Sequence, residues 1–120
     1  MLKKKNMIWV TFQKVGYHCY PAAGTDHNLS DVAYLANPHR HLFKFKVWIE
    51  VFANDREIEF HQFLNFCENQ IRENFDMDYK SCEMLSDDLA EVINLKYPSR
   101  EIHIEVSEDG ECGSFAEYFP

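Results

Sequence analysis

Apolar and charged side chains alternate along one segment of the chain, from His41 to Phe52. Charged residues occur there only at even-numbered positions. Because successive side chains of a β-strand point to opposite faces of a sheet, this period of two predicts a strand with one buried face. The predicted buried face carries His41, Phe43, Phe45, Val47, Ile49 and Val51.

Patterns on either side of this strand predict the remaining elements. Two later segments repeat apolar residues at helical spacing; Ser81 is a favourable N-cap for the second, and Pro98 ends it. Pro21–Pro38 is rich in small and polar residues and predicts a long loop, which is often functional. The predicted order is strand Met7–Phe12 continuing to Tyr20, strand His41–Phe52, helix Phe60–Asn74, a helix after Ser81, strand Glu101–Val106 and strand Ser114–Phe119. This β-β-α-α-β-β order predicts an α+β fold.

Composition limits the classes to which the protein can belong. The 120 residues predict a single domain, residues 1–120, and a hydrophobic content of 46% supplies its core. A formal net charge of −8 argues against nucleic acid or an anionic membrane as a partner. No apolar run approaches the roughly 20 residues of a membrane-spanning helix, and polar residues interrupt what would be a secretion signal. The four cysteines form no C-x-x-C pair, so we expect free thiols and a cytoplasmic location.

Three histidines on the first two strands predict a metal site. His39 and His41 are two residues apart, so both imidazoles project from the same face of a strand. His18, near the end of the first predicted strand, joins them if these two strands pair in antiparallel fashion. Three imidazoles with an open fourth position are typical of catalytic zinc. The alternative is three ordinary histidines at strand ends and in loops.

Glu108 is the second candidate site residue. Ile102, Ile104 and Val106 alternate on one face of the third strand, and the same phase places Glu108 on that face. A carboxylate that extends a buried stripe needs a partner, and the paired N–H groups of an aminopyrimidine ring are one candidate. The alternative is that the strand ends at Val106 and Glu108 faces water in a turn.

Taken together, these elements and residues resemble the 6-pyruvoyl- and 6-carboxytetrahydropterin synthases. The resemblance rests on a histidine on the first strand, H-x-H opening the second, and V-x-E ending the third. It extends over most of the chain, because three further segments are similar to family motifs. These are Arg56–Phe60 before the first helix, Ser81–Leu85 at the second, and Phe115–Tyr118 in the closing strand.

The resemblance implies the T-fold, or tunnelling fold: a four-stranded antiparallel sheet with two helices on one face. Subunits of such proteins join their sheets into a barrel, so it implies a homo-oligomer with sites at subunit interfaces. His18, His39 and His41 would hold Zn²⁺, Glu108 would anchor a pterin ring, and Ser81 and Cys82 would line the pocket. The implied reaction is loss of triphosphate from dihydroneopterin triphosphate. In it, zinc polarises the oxygens of the substrate's side chain and a cysteine acts as the base that moves protons.

The chain departs from the family at the proton-transfer residues. The family's cysteine lies four residues before the first histidine of H-x-H, where this chain has Leu35. The family's Asp-His pair is missing from Phe75–Tyr79, and Arg40 replaces the glycine inside H-x-H. Other residues would therefore have to act as the base.

Four residues are candidates for that base: Cys82, Cys112, Asp26 and His27. Cys19 is expected to point away from the site, because it directly follows His18 in a strand. Cys67 lies in the apolar stripe of the first helix and is expected to pack in the core. The two remaining histidines, His61 and His103, are expected to be exposed.

Three functions from different classes follow. The first is a zinc-dependent tetrahydropterin synthase-like enzyme acting on dihydroneopterin triphosphate or a related pterin. The second is a non-catalytic T-fold protein that binds or sequesters a pterin- or purine-like small molecule. The third is an interaction domain without a metal. Zinc content separates the third from the other two, and turnover separates the first from the second.

Overall fold

In a computed structural model of the protein, which describes residues 1–74 and 76–120, four antiparallel strands form one sheet. The strands lie in the order β1-β2-β3-β4, so each strand pairs with its neighbour in the chain. Two α-helices, α1 and α2, follow β2. The elements are β1 Asn6–His18, β2 His39–Val51, α1 Phe60–Asn74, α2 Cys82–Lys96, β3 Ile102–Glu108 and β4 Cys112–Tyr118. The predicted α+β class and antiparallel four-stranded sheet are confirmed.

The core lies between the sheet and the two helices, and the alternation in β2 determines which face of the sheet is covered. Phe43, Phe45 and Val47 are buried, as predicted, and they pack with buried residues of both helices. In α1 the buried residues are Phe63, Cys67 and Ile71, at helical spacing; Phe60, which fits the same spacing, is exposed. Buried core residues of α2 are Cys82, Leu85, Leu89, Ala90 and Ile93.

Local signals explain the ends of α2. The Ser81 side chain accepts a hydrogen bond from the Met84 amide at 3.2 Å, which caps the helix as predicted. Glu83 in the first turn and Lys96 in the last complement the helix dipole. Ser81 is thereby fixed at the end of the sheet where β1 ends.

The segment between β1 and β2 differs from the predicted loop. It contains two 3-10 helices, Pro21–Gly24 and His27–Ala36, the second of which is kinked. The Tyr20 amide donates a hydrogen bond to the Leu35 carbonyl at 2.7 Å, which joins the two ends of this segment. The segment therefore returns to the place where it left the sheet, and Leu35 lies beside the ends of β1 and β2.

The three-residue connection of the β3–β4 hairpin, residues 109–111, contains a β-turn centred on Asp109 and Gly110. Both residues have positive φ, 60° and 73°, and the Glu111 amide donates to the Glu108 carbonyl at 3.1 Å. An Asp-Gly pair with two positive φ angles is favoured in such tight turns, because the turn matches the twist of the flanking strands. Glu108 is the last residue of β3, so the strand runs two residues beyond the predicted end at Val106.

Strand ends differ from the prediction at two further points that affect the site. β2 begins at His39 rather than His41, which places both histidines of H-x-H on the ladder. β1 ends at His18 rather than Tyr20. No helix in the described ranges is long and apolar enough to span a bilayer. Phe75, in the segment compared with the family's Asp-His pair, lies outside the described residues.

Candidate metal centre and adjoining cavity

The pairing of β1 with β2 brings the three predicted histidines together. His18 lies directly opposite His39 in the register, and His41 follows two residues later on the same face. One ligand nitrogen from each imidazole lies within 4.8 Å of the other two. The centroids of the three rings are 4.5–5.1 Å apart, in edge-to-face arrangements.

Each of these imidazoles has its Nδ1 atom bound to an acceptor outside the cluster. Nδ1 of His18 lies 2.9 Å from the Lys80 carbonyl, and Nδ1 of His39 lies 2.9 Å from the Asn37 carbonyl. Nδ1 of His41 lies 2.8 Å from Oδ2 of Asp109. A carbonyl oxygen can only accept, so Nδ1 of His18 and His39 carries the proton and Nε2 of each neutral ring keeps its lone pair. Such outer hydrogen bonds hold the imidazoles of metal sites in place.

Burial supports a cation at this point. His18 is only 8% exposed, and Nε2 of His41 is buried without a hydrogen-bond partner among the described residues. A buried polar atom without a partner costs free energy, and a bound metal ion would satisfy it. The residues therefore fit a divalent metal ion. Imidazole suits zinc and several other first-row metals, so the donor set alone does not select one.

Glu108 lies at the same cluster. Its Oε1 is 3.3 Å from Nε2 of His18, and its Oε2 is 3.4 Å from Nε2 of His41. The carboxylate thus faces the nitrogens that would bind a metal, and its side chain is 26% exposed. It can reach either the metal or a ligand bound beside it.

A cavity of about 620 Å³ adjoins the cluster. It brings the predicted residues Ser81, Cys82 and Cys112 to the same place as two of the histidines and Glu108. Its described lining is His18, Cys19, Tyr20, Leu35, His39, Tyr79, Lys80, Ser81, Cys82, Glu83, Met84, Glu108, Cys112 and Gly113. A larger depression of about 700 Å³ lies over the exposed face of the sheet, but no histidine is among its described lining residues.

The cysteines around this cavity differ in burial. Burial raises the pKa of Cys82 to about 12, and the nearby Glu108 carboxylate adds to the effect. Its thiol is therefore protonated at neutral pH, which argues against Cys82 as a base. Cys112 is exposed at the start of β4, paired with Glu108 across the hairpin. Cys67 is buried in the core, as predicted, and burial raises its pKa to about 12.

Two predictions about the lining need correction or qualification. Cys19 was expected to point away from the site but is among the residues that line the cavity, because β1 ends at His18 and strand alternation no longer governs the next residue. Asp26 and His27 are exposed and are not among the described residues that line the cavity. The Asp26 side chain instead accepts from the Asn28 amide at 3.0 Å and caps a 3-10 helix.

Sequence reasoning missed the outer partners of the imidazoles. Asp109 was detectable in part, because an Asp-Gly pair between two strands is a hairpin signal. The partner of His18 is the backbone carbonyl of Lys80. Every residue type has this group, so the sequence does not indicate the contact.

His103 was also misjudged. Its side chain is only 18% exposed, because Trp48 and Phe115 pack around it on the outer face of the sheet. Nε2 of His103 lies 2.6 Å from Glu101 and 3.3 Å from Glu117, a second group with metal-ligand atoms close together. The Lys5 ammonium also pairs with Glu101, so these residues form an ion-pair network.

Comparison with protein-family models and with curated proteins gave no match.

Proposed function

We propose that the protein binds Zn²⁺ through His18, His39 and His41 and a pterin- or purine-like ring in the adjoining cavity. The class of protein it fits best is a tetrahydropterin synthase-like enzyme of the T-fold, acting on dihydroneopterin triphosphate or a related pterin. The observation that carries the proposal is the convergence of three imidazoles, each with its Nδ1 bound outward, beside a cavity that contains Glu108.

The cavity has the size and polarity for a small heterocyclic ligand. Its volume of about 620 Å³ lies within the usual range of roughly 300–1,000 Å³ for small-molecule sites. Glu108 would accept hydrogen bonds from two N–H groups of an aminopyrimidine edge. The chain around Ser81 and Cys82 would line the pocket. A bound zinc ion would supply Lewis acidity toward ligand oxygens at its open position.

Two observations favour the alternative of binding without catalysis. Leu35 lines the cavity at the position where the family has its cysteine, and Leu35 cannot move a proton. Cys82 is held as a neutral thiol by burial. Among the predicted bases, Cys112 remains the residue that is both exposed and in the cavity. If the protein is an enzyme, we assign the base to Cys112.

Metal analysis tests the shared part of both functions. Protein purified without chelators, or reconstituted with Zn²⁺, should contain one zinc per chain by mass spectrometry. His39→Ala should lose it while keeping the far-ultraviolet circular dichroism of the unmodified protein. His61→Ala is the matched control, because His61 is exposed on α1 and lies beside the end of the β1–β2 pair opposite to His18 and His39. Absence of zinc after reconstitution would overturn the proposal.

Turnover then separates the enzyme from the binding protein. The zinc-loaded protein is incubated with dihydroneopterin triphosphate, and release of triphosphate is measured. The enzyme should release it, and Cys112→Ala should abolish the release without loss of zinc. Binding of neopterin without release of triphosphate would assign the protein to the non-catalytic class.

A further inference from the structure

Asp109 is fixed to β2 by three hydrogen bonds. Its Oδ2 atom lies 2.8 Å from Nδ1 of His41, and its Oδ1 atom accepts from the Leu42 amide at 2.8 Å. The Asp109 amide in turn donates to the Leu42 carbonyl at 2.8 Å. Both carboxylate oxygens and the backbone of Asp109 therefore contact two consecutive residues of β2.

The turn restricts Asp109 further. Its φ of 60° lies in the left-handed region, where Asp and Asn are tolerated better than most residues. Gly110 follows with φ of 73°, so both central residues of the turn lie in the left-handed region. The Leu42 amide also lowers the pKa of Asp109, with His41 as the second cause.

Consecutive residues of the hairpin lie beside the two ring nitrogens of His41. Asp109 binds Nδ1, while Oε2 of Glu108 lies 3.4 Å from Nε2. His18 and His39 rest on backbone carbonyls instead. A carboxylate carries a full negative charge, so it polarises an imidazole N–H more strongly than a carbonyl does.

We propose that Asp109 is a positioning residue for the metal: it fixes the orientation of His41 and increases the electron density at Nε2. The inference rests on the proposed metal site. A carboxylate that accepts from a ligating imidazole typically affects metal affinity by about 10–100-fold.

The decisive variant is Asp109→Asn, because Asn tolerates a positive φ and keeps the turn. Its amide has one oxygen, so one of the two donors, Leu42 N–H or His41 Nδ1–H, would face an NH₂ group. Affinity for Zn²⁺, measured by competition with a chelator, should fall by about 10–100-fold. The matched control is Glu111→Gln, which removes the same charge from the same hairpin at an exposed position. Its affinity should stay within about twofold of the unmodified protein, a tolerance set by the weakness of screened surface charges.

A spectroscopic readout separates positioning from mere folding. In the Co²⁺-loaded protein, Asp109→Asn should shift the visible d–d bands, since the geometry and donor strength of His41 change. Asp109→Gly, which also keeps the turn, should weaken Zn²⁺ binding in the same direction, and it decides the question if Asp109→Asn does not fold. Unchanged affinity and an unchanged Co²⁺ spectrum in a folded variant would overturn the inference. If the unmodified protein binds no metal, the proposed function itself fails.

Discussion

Residues of the same type in this site differ in the groups that they contact. His18, His39 and His41 have the same side chain, but their Nδ1 atoms have different partners. Nδ1 of His18 and of His39 is hydrogen-bonded to a backbone carbonyl, whereas Nδ1 of His41 is hydrogen-bonded to a carboxylate. Glu108 and Asp109 are likewise adjacent and of the same charge, yet one faces Nε2 and the other binds Nδ1 of His41. Residue type alone therefore does not assign a role here; the atom that each side chain reaches does.

The role of Glu108 can be tested by a change of one atom. Glu108→Gln keeps the shape of the side chain but replaces one acceptor oxygen with an NH₂ donor, which would face a donor of the ring. Charge-assisted hydrogen bonds are worth about 1.5–3 kcal/mol each, so binding of neopterin or guanine should weaken by roughly 10–1,000-fold. Zinc should remain bound, because the three histidines are unchanged. Titration calorimetry of the zinc-loaded protein measures both ligands.

Two outcomes would contradict this assignment. Equal affinity of Glu108→Gln and the unmodified protein for both ligands would exclude ring anchoring. Loss of zinc from Glu108→Gln would make Glu108 a metal ligand, which its 3.3 Å and 3.4 Å distances from two Nε2 atoms would explain.

At the scale of elements, the accuracy of the sequence prediction follows the range of the interactions involved. The alternation in β2 predicted the buried face correctly, since period two is a local property of the strand. The 3-10 helices at Pro21–Gly24 and His27–Ala36 were missed because short, small and polar segments have no apolar period.

For the candidate site, the sequence predicted the histidines but not their outer partners. The partners of His18 and His41 lie 62 and 68 residues away along the chain. The position of Cys19 was predicted wrongly because β1 ends at His18, two residues before the predicted end at Tyr20. For His18 and His41, the missing information was a tertiary contact.

An ion pair outside the site ties the loop after β2 to the start of β3. Arg100 donates to both oxygens of Glu57 at 3.1 Å and 2.8 Å and to the Glu50 carbonyl at 3.0 Å. Glu57 also accepts from the Phe52 amide at 2.7 Å. The Arg100 side chain and the Phe52 amide lower the pKa of Glu57 from 4.5 to about 2.

This shift predicts the pH dependence of stability. A carboxyl whose pKa is lowered by folding stabilises the protein above its unfolded pKa, near 4.5, and loses this effect as the pH falls toward about 2. Glu57→Gln should therefore lower the Tm by a few degrees at pH 7, and the difference should narrow between pH 4.5 and 3. Scanning calorimetry of both proteins at several pH values measures this. Asp55→Asn, at an ion pair that is 80% and 88% exposed, is the control and should leave the Tm unchanged. A Tm difference that persists at low pH would contradict the assignment.

At the scale of the whole molecule, the sheet has one covered face and one open face. Trp9 and Phe115 are each 54% exposed, and Lys46 lies 4.5 Å and 4.8 Å from the ring centroids of Trp9 and Trp48 on that open face. Within the described part of the chain, β1 and β4 each pair with one neighbour only. Free strand edges favour pairing with another copy.

The T-fold proposal therefore predicts a homo-oligomer formed through the sheet edges. Light scattering coupled to size-exclusion chromatography should give a mass several times 14.2 kDa. A dilution series to low micromolar concentration, at low and high salt, distinguishes a stable assembly from weak association. A monomer throughout that series would contradict both the barrel and a site at a subunit interface.

The placement of the three candidate metal ligands has a consequence for the order in which the protein folds. All three histidines lie in β1 and β2, and His18 and His39 become neighbours as soon as these two strands pair. The carboxylates arrive later in the chain, and the contact between His41 and Asp109 closes a separation of 68 residues. Because closing long loops costs entropy, contacts near in sequence form more readily than distant ones. A β1–β2 hairpin that forms first would thus already place the imidazoles where they can bind a metal ion weakly. Packing of the β3–β4 hairpin against it would then add the contact of Asp109 with His41 and increase the affinity for the metal.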